Sequence, residues 1–351
     1  MFCKGGIVVR KMLNVLYVTN PDAYLSRDGE NVVVRVDQDE AFRVPVHYLE
    51  GIVTFGYVGA SPALLGLCCE KGVTVSFLTE HGRHHATVQG SPRGNVLLRR
   101  EQYRWADSET RSAELAGMFV MGKIVNCRAV SRRFLSDHKD VTESEDVQAA
   151  HALFARNVLK LHKGIGLDEV RGIEGDTARR YFGILNHLIV AQKDDFQMKG
   201  RSRRPPRDNV NCLLSFLYSL LMHEARSALE SVGLDPYVGF LHRDRPGRAS
   251  LALDLMEEFR PYLADRLALS MINRKQVCAN DFVTTDAGGV FLKEGARKIV
   301  IDAWQKRKKE EVQHPILGEK IPVGLLPYAQ ALLLARHVRG DIGKYPPFFW
   351  K

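Results

Sequence analysis

The sequence predicts an α+β protein, with a small β-rich N-terminal domain followed by a larger, mostly α-helical catalytic domain. Three observations carry this. Short runs rich in Val, Phe, Tyr and Thr fill the first hundred residues, a helical period replaces them from about residue 105, and almost all of the net charge of +9 lies beyond residue 99.

The β-type runs are 15–19, 31–36, 42–46, 51–55, 73–79 and 85–89, punctuated by turn signals such as Asp28-Gly29 and Ser91-Pro92. One helix is expected among them at 61–71, where Pro62 suits a first helical turn and Gly72 a stop. Residues 80–84, centred on Gly82, supply the turn between the last two strands. Residues 1–11 read as a peripheral extension ahead of Met12, which leaves 12–99 as the β-rich domain, with 95–103 carrying the crossover. Within 100–351, helices are expected over 107–135, 144–161, 176–189, 209–231, 250–269, 289–309 and 325–338. Residues 197–207 contain Gly200, Pro205 and Pro206 and read as a loop.

Composition excludes several classes. The 351 residues are 45% hydrophobic and 26% charged, which is ordinary for a folded chain. No apolar run approaches the roughly 20 residues that span a bilayer, and 1–11 lacks a secretory core. The six cysteines form no CxxC pair, which argues against cysteine-only zinc or iron–sulfur sites and fits a reduced, cytoplasmic compartment. The chain has no GxxxxGK[ST] loop, strand–GxGxxG–helix unit, HExxH helix or GxSxG elbow. The basic excess is compatible with a polyanion partner and equally with plain solubility.

Three segments could carry chemistry. In 171–182, Glu174 lies where a Gly-containing turn meets a helix, close to free amides that favour an anion; alternatively Glu174 or Asp176 is only a cap. In 237–248, an apolar run delivers His242 into a charged, turn-rich segment. Its imidazole suits a divalent metal or a proton, or else closes the core edge. In 250–261, Asp254 is three and four positions from Glu257 and Glu258 and shares a helical face with them, a pattern that a solvated face also explains.

Two carboxylates from different helices and one loop imidazole make a mixed oxygen/nitrogen site for Mg²⁺ or Mn²⁺, with positions left for phosphate oxygens. Two Arg-rich loops would supply the phosphate contacts: Lys199, Arg201, Arg203, Arg204 and Arg207 in one, and Arg243, Arg245 and Arg248 around His242 in the other. A further run, Lys306 to Lys309, reads as a surface helix face.

Taken together, Gly172-Ile173-Glu174-Gly175 with Tyr181-Phe182, Gly239-Phe240-Leu241-His242, and the run from Ser250 through Asp254, Glu257 and Glu258 to Pro261 resemble the CRISPR-associated adaptation integrase family, the universal spacer-acquisition endonuclease. The resemblance covers Met12 to the C-terminus and extends to members of the type I-C arrangement. It implies Glu174 as a helix-start metal ligand, His242 as the loop imidazole ligand and Glu257 as the acidic ligand of the next helix, where some members have Asp. Asp254 would be a nearby second acid supporting the site, so that the implied catalytic set is Glu174, His242, Asp254 and Glu257.

The implied activity is insertion of short foreign DNA fragments into a CRISPR array, by attack of a 3′-hydroxyl on a repeat-boundary phosphodiester. The implied assembly is a homodimer formed through the β-rich domain, joined by a small ferredoxin-like partner and, in some subtypes, an iron–sulfur exonuclease, in a prokaryotic cytoplasm without membrane contact. A metal-dependent endonuclease of branched, single- or double-stranded DNA would use the same ligands with water as nucleophile. A non-catalytic DNA-binding scaffold would need the basic loops alone.

Overall fold

The computed structural model describes residues 15–18, 20–37, 39–49, 51–56, 58–78, 84–88, 90, 96–137 and 144–350. The expected extension over 1–11, most of the turn at 80–84 and the Ser91-Pro92 turn lie outside them. The chain divides into two compact units: Met1–Ser91 with Gly324–Ala329, and Pro92–Val323 with Gln330–Lys351.

The first unit is β-rich. Its strands are β1 (Val15–Val18), β2 (Ala23–Asp28), β3 (Asn31–Val36), β4 (Asp39–Pro45), β5 (Gly51–Phe55), β6 (Gly59–Ala60), β7 (Thr74–Leu78) and β8 (His84–Val88), with helix α1 at Pro62–Lys71. One sheet has the order β1-β5-β7-β8, parallel across β1, β5 and β7; the other has the order β4-β3-β2-β6. The Asp28-Gly29 signal is the β2–β3 hairpin turn, where Gly29 takes φ +60°, a left-handed conformation that favours glycine. Ser61 caps α1 by accepting the Leu64 amide, and Gly72 at φ +75° ends it. Leu25, Val32, Ile52 and Val75 from the two sheets and Leu64, Leu67 and Cys68 from α1 share one core. Strands β2 and β6 were not expected: β2 turns only Ala23 and Leu25 fully inward, and β6 is two residues long.

The second unit is helical: α2 (Val96–Asp107), α3 (Glu109–Asp137), α4 (Ser144–Leu161), α5 (Leu167–Leu188), α6 (Asn209–Ser231), α7 (Ser250–Met256), a π-helical turn (Arg260–Asp265), α8 (Arg266–Asn273) and α9 (Glu294–Lys309). Two small hairpins interrupt it, β9 (Phe282–Thr284) with β10 (Val290–Leu292) and β11 (Glu311–Gln313) with β12 (Lys320–Pro322). Helix α10 (Leu326–Val338) lies in this unit from Gln330 onward. The long α3 packs against both α4 and α5.

Four expectations change. The predicted crossover at 95–103 is the first part of α2. Helix α5 starts at Leu167, not 176, because burying Val170, Ile173, Thr177 and Tyr181 along one face outweighs the roughly 1 kcal/mol cost of each interior glycine, Gly172 and Gly175. The run 250–269 is not one helix: it breaks after Met256, and Pro261, which lacks an N–H, sits in the π-helical turn. Residues 290–292 pair as β10, so α9 begins only at Glu294. Residues 197–207 contain neither helix nor strand. No helix among the described residues is long and apolar enough to cross a membrane.

Candidate active site

Glu174 stands within α5, two turns from its start, so its carboxylate is not at a helix-start amide cluster. It faces α3. The Lys123 ammonium lies 2.5 Å from Glu174 Oε1 and 2.8 Å from Glu257 Oε2, and joins the two carboxylates although they are far apart in sequence. Glu257 Oε1 also pairs with Arg260 Nη1 at 2.8 Å. Lys123 and Glu257 are both almost fully buried, while Glu174 keeps 27% of its side chain exposed and forms the open side of the cluster.

Burial alone would neutralise these groups, and pairing prevents it. Burial pushes the Glu257 carboxyl up, but Arg260, Lys123 and His242 together hold it well below the usual carboxylate range. Burial likewise opposes the Lys123 charge, yet Glu257 and then Glu174 raise its pKa above the ordinary value. The Arg260 guanidinium lies 4.9 Å from the Tyr218 ring centroid, and the Tyr218 hydroxyl donates to Asp265 Oδ1 at 2.6 Å. A cation, an aromatic ring and a second buried acid thus back the Glu257 side of the site.

His242 is held from the other direction. Asp254 is fully buried, and its Oδ2 accepts the amides of Phe240 at 2.6 Å and Leu241 at 2.9 Å. Its Oδ1 accepts the His242 amide at 3.0 Å and lies 2.6 Å from His242 Nδ1. A carboxylate receiving three amides is an acceptor, so Nδ1 carries the ring proton and Nε2 keeps its lone pair for a ligand. Gly239 permits this packing: a Cβ there would fall 2.8 Å from the Ser250 carbonyl carbon and 2.9 Å from Asp254 Oδ2. Arg171, one turn before Glu174 on α5, donates to the Leu241 carbonyl at 2.9 Å and ties the imidazole loop to the glutamate's helix.

Asp254, Glu257 and Glu258 do not share a working face as the unbroken helix predicted. Asp254 serves the His242 loop, Glu257 serves Lys123 and Arg260, and Glu258 points to the C-terminal segment. There Tyr345 Oη lies 2.6 Å from one Glu258 oxygen, and the Phe348 amide donates to the other at 2.7 Å. Gly122, beside Lys123, leaves room for this glutamate, since a Cβ would meet Glu258 Cγ at 2.8 Å.

Among the described residues, no three His, Cys, Asp or Glu side chains are gathered tightly enough to hold a metal ion, because the ammonium of Lys123 stands between two of the expected ligands. The donor chemistry nevertheless fits Mg²⁺ or Mn²⁺. Two carboxylates face one cation, the buried Glu257 Oε2 makes no well-directed hydrogen bond, and the neighbouring imidazole is backed by a carboxylate, as metal-binding histidines usually are.

The basic loops divide. Lys199, Arg203, Arg204, Arg207, Arg243 and Arg245 are exposed. Arg201, expected to contact DNA, turns inward: it bonds Asn211 Oδ1 at 2.7 Å and Ser215 Oγ at 3.3 Å and lies 5.4 Å from the Tyr218 ring centroid, and burial lowers its pKa. Arg248 bonds the Arg243 carbonyl and Ser250, and so braces the loop after His242. Lys123, Arg171 and Arg260 were not singled out from the sequence. Lys123 had a visible sign, as the one charge in the apolar stretch from Leu115 to Cys127.

A β-rich unit followed by a helical one, with a buried acid–lysine–acid bridge beside a carboxylate-backed imidazole, defines the class of molecule. The family profile described as CRISPR associated protein Cas1 matches residues 16–306. The chain therefore belongs to the Cas1 family. It is 52% identical over 98% of its length, and 100% of the relative's, to "CRISPR-associated endonuclease Cas1 1" of Chlorobaculum tepidum. It is 49% identical, with 98% and 100% covered, to "CRISPR-associated endonuclease Cas1 2" of Rhodospirillum rubrum. An exonuclease Cas4/endonuclease Cas1 fusion of Geobacter sulfurreducens is 34% identical over 95% of this chain and 60% of the fusion. The fold is that of a Cas1 protein from Thermotoga maritima, with TM-score 0.79, 22% identity and coverage of 96% of this chain and 100% of that one. It also matches a chain of a Cas6-RT-Cas1–Cas2 complex, with TM-score 0.81, 22% identity and coverage of 97% and 36%.

Proposed function

We propose that the chain is a divalent-metal-dependent DNA integrase that inserts short fragments into a CRISPR array. The observation that carries this reading is the meeting of the Glu174 and Glu257 carboxylates at one cation position beside His242. Glu174, Glu257 and His242 Nε2 would hold Mg²⁺ or Mn²⁺, which when bound supplies Lewis-acid polarisation of a phosphodiester and lowers the pKa of an attacking hydroxyl. The chain's own groups prepare that step. Asp254 keeps the imidazole in one tautomer and one orientation, Arg171 holds its loop against α5, and Arg260 keeps Glu257 ionised. Lys123 holds the two carboxylates together and must yield its place between them. The exposed arginines on either side of the loop neutralise the phosphates of the duplexes that have to approach each other. The fragment's 3′-oxygen forms a new bond to phosphorus as the repeat strand's 3′-oxygen leaves, so one phosphodiester replaces another and no ATP is consumed.

In this reading the β-rich unit makes a homodimer and the helical unit holds DNA. A ferredoxin-like partner completes the complex and an iron–sulfur exonuclease trims the fragment, in the type I-C arrangement. The Cas1–Cas2 complex and the Cas4/Cas1 fusion among the similar proteins support those partners. The endonuclease names of the relatives favour a second reading, in which water replaces the 3′-hydroxyl. A labelled fragment offered with a supercoiled repeat-containing plasmid and the partner protein separates the two. Covalent transfer of label into the plasmid, lost in Glu174→Ala and His242→Ala proteins that still fold, supports integration; metal-dependent nicking without transfer supports the nuclease.

A further inference from the structure

A second cluster of cations stands away from the acid–lysine–acid bridge, at the C-terminal end of α3. Ten residues of helix separate Lys123 from Arg133, roughly 15 Å along the axis. Arg132 and Arg133 line a groove of about 350 Å³ together with Ala129, Ser136, Asp137 and Trp350. Beside it the guanidinium of Arg266 lies over Trp350, 4.0 Å from the ring centroid, and 5.6 Å from that of Tyr262. Arg307 approaches the same Tyr262 ring at 4.9 Å.

The balance of charge in this groove is uneven. Arg133 Nε is 3.7 Å from Asp137, a loose and exposed pair, and Arg307 pairs with Glu310. Among the described residues, neither Arg132 nor Arg266 is in an ion pair. Burial and then the charges of Arg307 and Arg133 act against the Arg266 cation and lower its pKa to about 10. A face that needed only to be soluble would leave its arginines apart in water. Here one is half-buried between two rings, which fixes its fork of donors in place while like charges gather around it. Crowded guanidiniums that outnumber the acids beside them, with Arg132 and Arg266 outside any ion pair among the described residues, are arranged for an anion with several oxygens.

We propose that this groove is a second DNA contact, in which Arg132, Arg133 and Arg266 hold phosphates of a strand whose reacting phosphodiester lies at the Glu174–Glu257 centre. The proposal rests on the DNA-joining reading of that centre. It assigns contact to the backbone rather than to bases, because Arg266 already covers a face of Trp350, whose ring also lies against Tyr262 at 5.2 Å.

The test is fluorescence anisotropy of the full-length protein on a labelled DNA duplex across a salt series. Arg132 and Arg133 are exposed, so the pair Arg132→Gln and Arg133→Gln leaves the fold intact, which its melting temperature verifies. The pair should weaken binding about tenfold at moderate salt and reduce the slope of log affinity against log salt by about 1 to 2. Lysine at both positions should restore most of the slope, since a phosphate needs charge more than shape. Removing the same charge at Arg27 and Arg35, exposed on β2 and β3, should leave it unchanged. An unaltered affinity and slope, or an equal loss in the Arg27/Arg35 control, overturns the proposal. Groove variants that match wild type while wild type binds and joins DNA defeat this inference alone. A wild-type protein that binds no DNA even with the partner protein added defeats the joining reading with it.

Discussion

A lysine buried between two carboxylates gives up the hydration of its charge, and Lys123 does so because Glu174 and Glu257 close on it at 2.5 and 2.8 Å. In the proposed reading the ammonium stands where a divalent ion would bind, which would link protein stability to metal affinity through Lys123. Lys123→Met should lower the melting temperature of EDTA-treated protein, by the equivalent of about 3 kcal/mol, as two buried acids lose their partner. Added Mn²⁺ should then recover more stability in the variant than in wild type. Calorimetric melts with and without Mn²⁺ check this, and an identical metal response in both proteins would remove Lys123 from the centre. Gly239→Ala should cost about 1–3 kcal/mol in chemical denaturation, because the added methyl meets the Ser250 backbone and the Asp254 carboxylate. Residue type and segment resemblance singled out Glu174, His242 and Glu257, and packing brings the two glutamates to one ammonium. Lys123, Arg171 and Arg260 were not singled out, because their roles exist only once α3, α5 and the turn after α7 are packed together.

At the scale of elements, the break after α7 directs the site. An unbroken helix would have sent Asp254, Glu257 and Glu258 to one side, as the sequence spacing predicted. The interruption and the π-helical turn around Pro261 instead give each acid its own neighbours. Long amphipathic stretches were readable, and α4 and α6 have the predicted bounds. Interior glycines hid the first two turns of α5, and β2 was hidden by having only two fully buried side chains. The same turn carries Asp265, whose carboxyl burial pushes up to about 6, partly offset by the Tyr218 hydroxyl and Arg260. An acid with a raised folded-state pKa binds its proton more tightly when folded. Its contribution is complete below its unfolded value of about 4 and is lost as pH rises through 6. The stability of wild type relative to Asp265→Asn should therefore fall between pH 4 and pH 6 and level off above. Urea titrations across that range read it directly; a flat difference contradicts the assignment.

For the molecule as a whole, the proposed function divides self-association and chemistry between the β-rich unit and the helical unit. The first unit exposes Tyr24 at 46%, Phe42 at 49% and Tyr48 at 57%, aromatic area that a dimer contact would cover. If the proposed homodimer uses this face, Phe42→Glu should shift it from dimer to monomer in light scattering without changing its melting temperature, and a persistent dimer would place the contact elsewhere. The two-unit order and the basic excess were legible in the sequence from its change of period and charge. The position of Lys123 between the acids was not, being a product of long-range packing. The central claim is that Glu174, Glu257 and His242 share one divalent ion, with Asp254 behind the imidazole and Lys123 giving way. Anomalous diffraction at the manganese edge from Mn²⁺-soaked crystals tests it most directly. The account predicts one peak within bonding distance of Glu174, Glu257 and His242 Nε2, with the Lys123 ammonium moved from between the carboxylates. A peak bound by other residues, or Lys123 still bridging both acids at full manganese occupancy, would contradict it.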